Sequence, residues 1–177
     1  LGFNEYTRKV VLDAMFFSDL WPEFDRGKMS DEELLNRFIK NSPSFEREIR
    51  TAFEAVGDTI HTYDYSKDWI LDMKAKGYHC YYLSNFPSKT YDLSKEKMSF
   101  LEDMDGGIFS FEIRSIKPEP LIYETLLQKY SLDPDASVFL DDSYKNIETA
   151  HKLGFHTILF KNQKQALSEL RKLGIHL

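Results

Sequence analysis

The chain of 177 residues carries 23 Lys and Arg against 29 Asp and Glu, a formal net charge of -6, with 42% hydrophobic and 15% aromatic residues. A chain of this length buries roughly 70% of its unfolded surface, which excludes intrinsic disorder and predicts a mildly acidic, soluble globular protein of one domain, or one domain with a small appendage. No apolar run approaches the roughly 20 residues that cross a bilayer, no basic segment leads into an apolar signal core, and no Lys/Arg cluster offers phosphate backbones a basic face, so neither a membrane nor a nucleic acid is expected as partner.

The first third reads as helices with no strand between them. Asn4 can cap a helix whose apolar positions Val10, Val11, Ala14 and Met15 fall at helical spacing. After a loop around Trp21-Pro22 and Gly27, Ser30 and Glu33 have the spacing of a capping box ahead of Leu34, Leu35, Phe38 and Ile39. Ser42-Pro43 marks a further start, with Pro at the first helical position. Phe45, Ile49, Phe53 and Val56 then recur at near four-residue intervals, as a packing face does. The aromatic side chains Phe16, Phe17, Trp21 and Phe24 also make a walled pocket possible in this third.

The pattern changes near Tyr65. Trp69, Ile70 and Met73 form a short helical face ended by Gly77, and residues 79 to 83 are a β-rich run that stops at Ser84-Asn85. Within that run lies the single cysteine, Cys80, which reads as a reduced, buried thiol and suits a cytoplasmic protein. A helix is predicted over 87 to about 97 and a second strand over 108 to 113. The next helix opens near Pro118 and Pro120 and carries Leu121, Leu126, Leu127 and Tyr130. A third strand over 137 to 140 ends at Asp141-Asp142, a helix runs through Ile147 and Ala150 to Leu153-Gly154, a fourth strand covers 156 to 160, and Ala166, Leu167, Leu170 and Leu173 make a closing helix. Strands alternating with helices imply right-handed crossovers and a parallel sheet covered on both faces. The expected fold is α/β, with a helical appendage over 1–63 and the α/β part over 64–177.

In such a sheet, ligands gather at the carboxyl ends of the strands, so polar residues that end apolar runs are the candidates. Ser84 and Asn85 follow the first strand, although Ser-Asn is also ordinary turn chemistry. Lys117 sits just before a helix start, where an ammonium can join backbone N–H groups on an anion or simply be a solvated lysine. Asp141 and Asp142 end the third strand as adjacent carboxylates, which repel each other unless a cation neutralises them. Carboxylates with few other protein donors suit Mg²⁺, which keeps several waters and often shares a phosphate ligand; helix capping by Asp142 or Ser143 is the competing role. A hydroxyl, an ammonium and an acid pair at three strand ends describe a phosphoryl site, since phosphoryl transfer asks mainly for positioning and charge neutralisation.

Tyr82-Leu83-Ser84-Asn85, Lys117-Pro118-Glu119-Pro120 and Phe139-Leu140-Asp141-Asp142-Ser143, in that order and spacing, resemble the later motifs of the haloacid dehalogenase-like (HAD) superfamily of hydrolases. The stretch Asn146-Ile147-Glu148-Thr149-Ala150-His151-Lys152-Leu153-Gly154 is also similar to the family's pattern, and the resemblance covers residues 66 to 160. Residues 24 to 33 are similar to the cap of members with a small helical insertion, and the chain looks closest to the branch that includes phosphatases acting on glucose 1-phosphate. The resemblance implies a three-layer, Rossmann-like parallel-sheet core with an N-terminal helical cap. It implies Mg²⁺-dependent hydrolysis of a small phosphorylated metabolite, such as a sugar phosphate, through an aspartyl-phosphate. It further implies that Ser84 and the Asn85 backbone N–H bind the transferring phosphoryl group, Lys117 neutralises phosphate and nucleophile, Asp142 binds Mg²⁺ directly with Asp141 in close support, and Asn146 stands behind them.

The family's first motif, a hydrophobic strand ending in Asp-x-Asp that supplies the nucleophile and the general acid, has no match here; Asp13, Asp19 and Asp25 fall in helical or loop contexts. That strand is central in the family's sheet, so unpaired strand edges and an apolar seam are expected, along with about 15 to 25 further residues upstream and an inactive chain of 177 residues. The alternatives are a HAD-like protein without catalysis and a 2-haloacid dehalogenase, whose chemistry uses no Mg²⁺. Outside the enzyme class, a phosphorelay receiver also combines acids, a hydroxyl and Lys-Pro, but in the order acids, hydroxyl, lysine, and it has no use for the helical first third.

Overall fold

The computed structural model describes residues 1–176. Its elements follow in the order α1 (Glu5–Ala14), α2 (Trp21–Arg26), α3 (Asp31–Asn41), α4 (Glu46–Glu54), α5 (Ser66–Ala75), β1 (Tyr81–Ser84), α6 (Ser88–Ser94), β2 (Gly106–Phe109), α7 (Ser110–Ile113), α8 (Pro120–Tyr130), β3 (Val138–Asp141), α9 (Tyr144–Lys152), β4 (His156–Leu159) and α10 (Gln163–Lys172). The chain divides into two compact units. One holds 1–64, 85–99 and 109–114, and the other holds 65–84, 100–108 and 115–177.

The first unit is helical, and its ends obey local rules. The Asn4 side chain accepts the Thr7 N–H at 2.9 Å, and Ser30 accepts the Glu33 N–H at 3.2 Å. The Glu33 carboxylate turns to Arg37 at 2.7 Å, so the exposed ion pair takes the side chain that a full capping box would use. Trp21 and Pro22 open α2, a helix where a loop was expected, because Pro fits the first turn; Gly27 ends it at φ +67°. Ser42 makes no side-chain cap, and Pro43–Phe45 forms a single 3-10 turn leading into α4. Val11, Met15, Phe24, Leu34, Phe38, Ile49 and Phe53 form one apolar core. Phe16 stacks on Trp21 at 4.1 Å between centroids, and Phe24 packs on Phe53 at 5.4 Å. The aromatic side chains expected to line a pocket are thus spent on helix packing, except Phe17, which is exposed.

The predicted strand over 108 to 113 is half strand and half helix: β2 stops at Phe109 and α7 begins at Ser110. The alternation Phe109, Phe111, Ile113 reads as period two, but the Glu112 carboxylate accepts the Phe109 N–H at 3.1 Å and closes a helical turn instead. The Ser110 hydroxyl is fully buried, accepts the Phe86 N–H at 2.9 Å and donates to the Asp25 carbonyl.

The second unit holds the strands. β1 pairs with β2, and β3 pairs with β4, the latter in parallel with Val138 opposite His156 and Asp141 opposite Leu159. Among the described residues no ladder joins the two pairs, and all four residues of β1 are only half-buried although three of them are Tyr81, Tyr82 and Leu83. Among the described residues the divided sheet thus leaves strand edges unpaired. Within the first pair, a Cβ on Gly107 would overlap the carbonyl and ring of Tyr82. Gly107→Ala is therefore expected to cost about 1–3 kcal/mol in urea denaturation, and an unchanged midpoint would contradict the close approach.

The lead-in to β1 is fastened by one carboxylate. Asp105 accepts the Cys80 N–H at 2.8 Å and pairs with Lys74 at 3.1 Å, while its own N–H donates to the Cys80 carbonyl. The Cys80 N–H bond first, then Lys74 and His79, hold the Asp105 carboxyl below the usual aspartate range. A folded-state value below the unfolded one stabilises the protein above about pH 4 and is lost as pH falls through the folded value. Asp105→Asn is accordingly expected to lower stability by about 1 kcal/mol near neutral pH, with the difference vanishing in denaturant titrations as the pH falls through the folded-state value. The Cys80 thiol is half-buried, and burial, followed by the Asp105 charge, pushes its pKa up.

Candidate functional site

β3 delivers Asp141 as its last residue, where the side chain is 6% exposed. A buried carboxylate needs partners for both oxygens, and Asp141 has them. Its Oδ2 lies 2.6 Å from Lys117 Nζ, and its Oδ1 accepts the Ser143 N–H at 2.8 Å and the Asn146 side-chain amide at 2.9 Å. Lys117 is itself 11% exposed, and its ammonium sits 5.6 Å from the centroid of the Phe139 ring. Three of the predicted residues, Lys117, Asp141 and Asn146, therefore form one hydrogen-bonded group.

Asp142 is exposed, and among the described residues no hydrogen bond or ion pair engages it. The two acids are thus differentiated: Asp141 is buried and satisfied, and Asp142 offers a carboxylate to solvent. Ser84 ends β1 half-buried, and its hydroxyl takes part in no hydrogen bond among the described residues. Asn85 follows it in the chain, also half-buried, as the first residue of a segment that packs with the helical unit. Of the acids considered for the absent Asp-x-Asp motif, Asp13 lies in α1 and pairs with Lys9 at the surface, Asp19 lies exposed in the turn that follows, and Asp25 lies in α2.

Two supporting residues escaped sequence reasoning. The Glu119 carboxylate accepts the Ser115 hydroxyl at 2.8 Å and the Ile116 N–H at 3.4 Å, while its own N–H donates to the Ile116 carbonyl, so it ties the loop that carries Lys117. The Lys117-Pro118 bond within that loop is cis. Tyr123, fully buried in α8, donates its hydroxyl to the Asn146 carbonyl at 3.1 Å. Burial, then the nearby Asp141 charge, raise its phenol above the ordinary tyrosine range, which keeps it a neutral donor. Each binds backbone, and a contact between a side chain and backbone leaves no pairing pattern in the sequence.

Chemically, the group is a fixed positive charge held against a buried acid, beside a second acid open to a cation. Among the described residues no three His, Cys, Asp or Glu side chains gather to hold a metal ion. The acid pair would supply part of a coordination shell, as suits an ion that retains waters.

Residues 23–160 match the model of a family described as haloacid dehalogenase-like hydrolases. Over 92% of its length the chain is 22% identical to a sesquiterpene phosphatase of Aspergillus oryzae, covering 83% of that protein. Over 90% of its length it is 25% identical to the D-ribitol-5-phosphate phosphatase of Bacteroides thetaiotaomicron, covering 80% of it. Other relatives are longer, and the chain spans 63% or less of several of them. In fold it is similar to a HAD family enzyme of Bacteroides thetaiotaomicron solved with magnesium and inorganic phosphate. That likeness has a TM-score of 0.70 at 21% identity and covers 91% of this chain and 88% of the other.

Proposed function

The chain belongs to the haloacid dehalogenase-like hydrolase family, and we propose that in complete form it is a Mg²⁺-dependent phosphomonoester hydrolase acting on a small phosphorylated metabolite. The observation that carries this is the division of labour at the end of β3. Asp141 is neutralised by Lys117 and held by Ser143 and Asn146, while Asp142 is left exposed and, among the described residues, unengaged. A cation fits that donor set, because an unpartnered carboxylate beside a second one gains from a divalent charge. When bound, Mg²⁺ would supply charge neutralisation for the phosphoryl oxygens. The acid pair also favours this reading over metal-free 2-haloacid dehalogenation.

In this reading Asp142 binds the ion and Asp141 keeps Lys117 in place. The Lys117 ammonium neutralises phosphate and nucleophile, and the Ser84 hydroxyl with the Asn85 N–H holds phosphoryl oxygens. The nucleophile comes from a strand outside these 177 residues that fills the divided sheet. Its carboxylate oxygen attacks phosphorus as the ester oxygen leaves with a proton from the motif's second aspartate; water, giving a proton back to that aspartate, then cleaves the acyl phosphate to free the carboxylate and inorganic phosphate. The relatives named above carry a terpenoid and a sugar alcohol in their names. Support for a sugar phosphate substrate is thus the second of these together with the resemblance of residues 24 to 33 to a small helical cap.

The experiment is a p-nitrophenyl phosphate assay of the full-length protein with and without Mg²⁺, repeated on Asp142→Asn. Turnover is expected only with Mg²⁺ and is expected to fall at least 100-fold in the variant. Turnover indifferent to both the metal and the substitution would overturn the reading.

A further inference from the structure

Tyr123 has no part in that mechanism, yet its hydroxyl is tied to Asn146, whose side-chain amide in turn holds Asp141. Its ring is fully buried in α8 and wedged edge-on against Phe139 of β3, with centroids 5.4 Å apart, and against Phe155, at 6.5 Å. Packing alone would be served equally by phenylalanine. A buried hydroxyl is costly unless it finds an acceptor, and this one finds the Asn146 carbonyl in the first turn of α9, at 3.1 Å. The same Asn146, nine-tenths buried, sends its side-chain amide to Asp141 Oδ1 at 2.9 Å, and Asp141 Oδ2 meets Lys117 at 2.6 Å. The N–H of Ser143, which precedes that turn, holds Oδ1 as well.

We propose that Tyr123 is a positioning residue for the acid pair: by anchoring the Asn146 carbonyl it fixes the first turn of α9, so that Asn146 and Ser143 hold Asp141 against Lys117 and Asp142 is left open to a cation. The proposal rests on the reading of that pair as the Mg²⁺ site. Groups standing behind metal ligands commonly govern affinity by 10- to 100-fold. Tyr123 acts one bond further back, so an effect near the lower end is expected.

The test is isothermal titration of the full-length protein with Mg²⁺ alone, using wild type, Y123F, N146A, the double variant and D142N, with the thermal midpoint of each recorded. Y123F is expected to weaken Mg²⁺ binding about tenfold, and Y123F added to N146A is expected to weaken it by clearly less than that, because part of its effect runs through the Asn146 side chain and only the part through Ser143 remains. In turnover, kcat at low Mg²⁺ should fall about tenfold and return with excess Mg²⁺, while KM for p-nitrophenyl phosphate stays unchanged. A structural role alone would lower the thermal midpoint without this pattern. Mg²⁺ binding by Y123F within twofold of wild type, or additive losses in the double variant, would overturn the inference while leaving the acid-pair reading intact. A wild type that binds no Mg²⁺, or a D142N variant that binds as tightly as wild type, would overturn that reading and the inference together. Independently of any variant, the Tyr123 ring and Asn146 amide resonances of the wild type should shift together as Mg²⁺ is added. A Tyr123 ring unmoved at saturation would also overturn the inference.

Discussion

A protein limited to these 177 residues is expected to hydrolyse p-nitrophenyl phosphate at no measurable rate, with or without Mg²⁺. In the proposed reading the residues gathered at the end of β3 neutralise, orient and bind, and the attack on phosphorus is assigned to none of them. Lys117 and Asp141 are consumed by each other at 2.6 Å, and Asp13, Asp19 and Asp25 all lie within the helical first third. Loss of one member of a catalytic unit can cost about a million-fold, because the members act together. Among the described residues no ladder joins the two strand pairs, which leaves edge backbone donors and acceptors that a further strand could satisfy. The measurement is a single preparation of verified mass, assayed beside the full-length protein and the same preparation carrying Asp142→Asn. Turnover by the 177-residue protein at a rate that Asp142→Asn leaves unchanged would sink both the missing-nucleophile account and the metal site.

Where the fold was legible in the sequence, the signal was local. Asn4 and Ser30 announced their helices because a side-chain oxygen three residues ahead of a backbone N–H is a short-range geometry. The acids ending β3 were legible because a polar pair after an apolar run marks the end of a strand. Sequence reasoning failed where a second local preference competed. At 108 to 113 an alternating pattern lost to a Glu112 carboxylate that captured the Phe109 N–H, and at Trp21-Pro22 a proline taken as a loop signal occupied a helical first turn. Glu119 and Tyr123 were invisible for a different reason. Glu119 sits among prolines, and its contacts to the Ser115 hydroxyl and the Ile116 N–H are local but run backward along the chain, outside the pattern of a helix cap. Tyr123 sits in an apolar stripe, and only the fold brings it within reach of the Asn146 carbonyl.

Lys117→Ala, made in the full-length protein, is expected to lose at least 100-fold in turnover and about 3 kcal/mol in stability, two effects with one cause. Removing a charge-stabilising donor from a phosphoryl site costs about 100-fold or more. Removing one member of a buried ion pair leaves the other uncompensated, a loss of about 3–5 kcal/mol. Asp141 retains the Ser143 N–H and the Asn146 amide, which places the expected loss at the lower end. The two effects separate in the double variant Lys117→Ala with Asp141→Asn. Neutralising the stranded carboxylate should recover part of the stability in urea titrations, whereas turnover should stay lost because no positive charge returns to the site. Lys117→Arg should not restore turnover either, since a planar guanidinium does not occupy the place of a compact ammonium 11% exposed beside the Phe139 ring. If stability fell as expected while turnover held within tenfold of wild type, the Lys117–Asp141 pair would be a fold element alone, and phosphate neutralisation would have to be sought elsewhere in the chain.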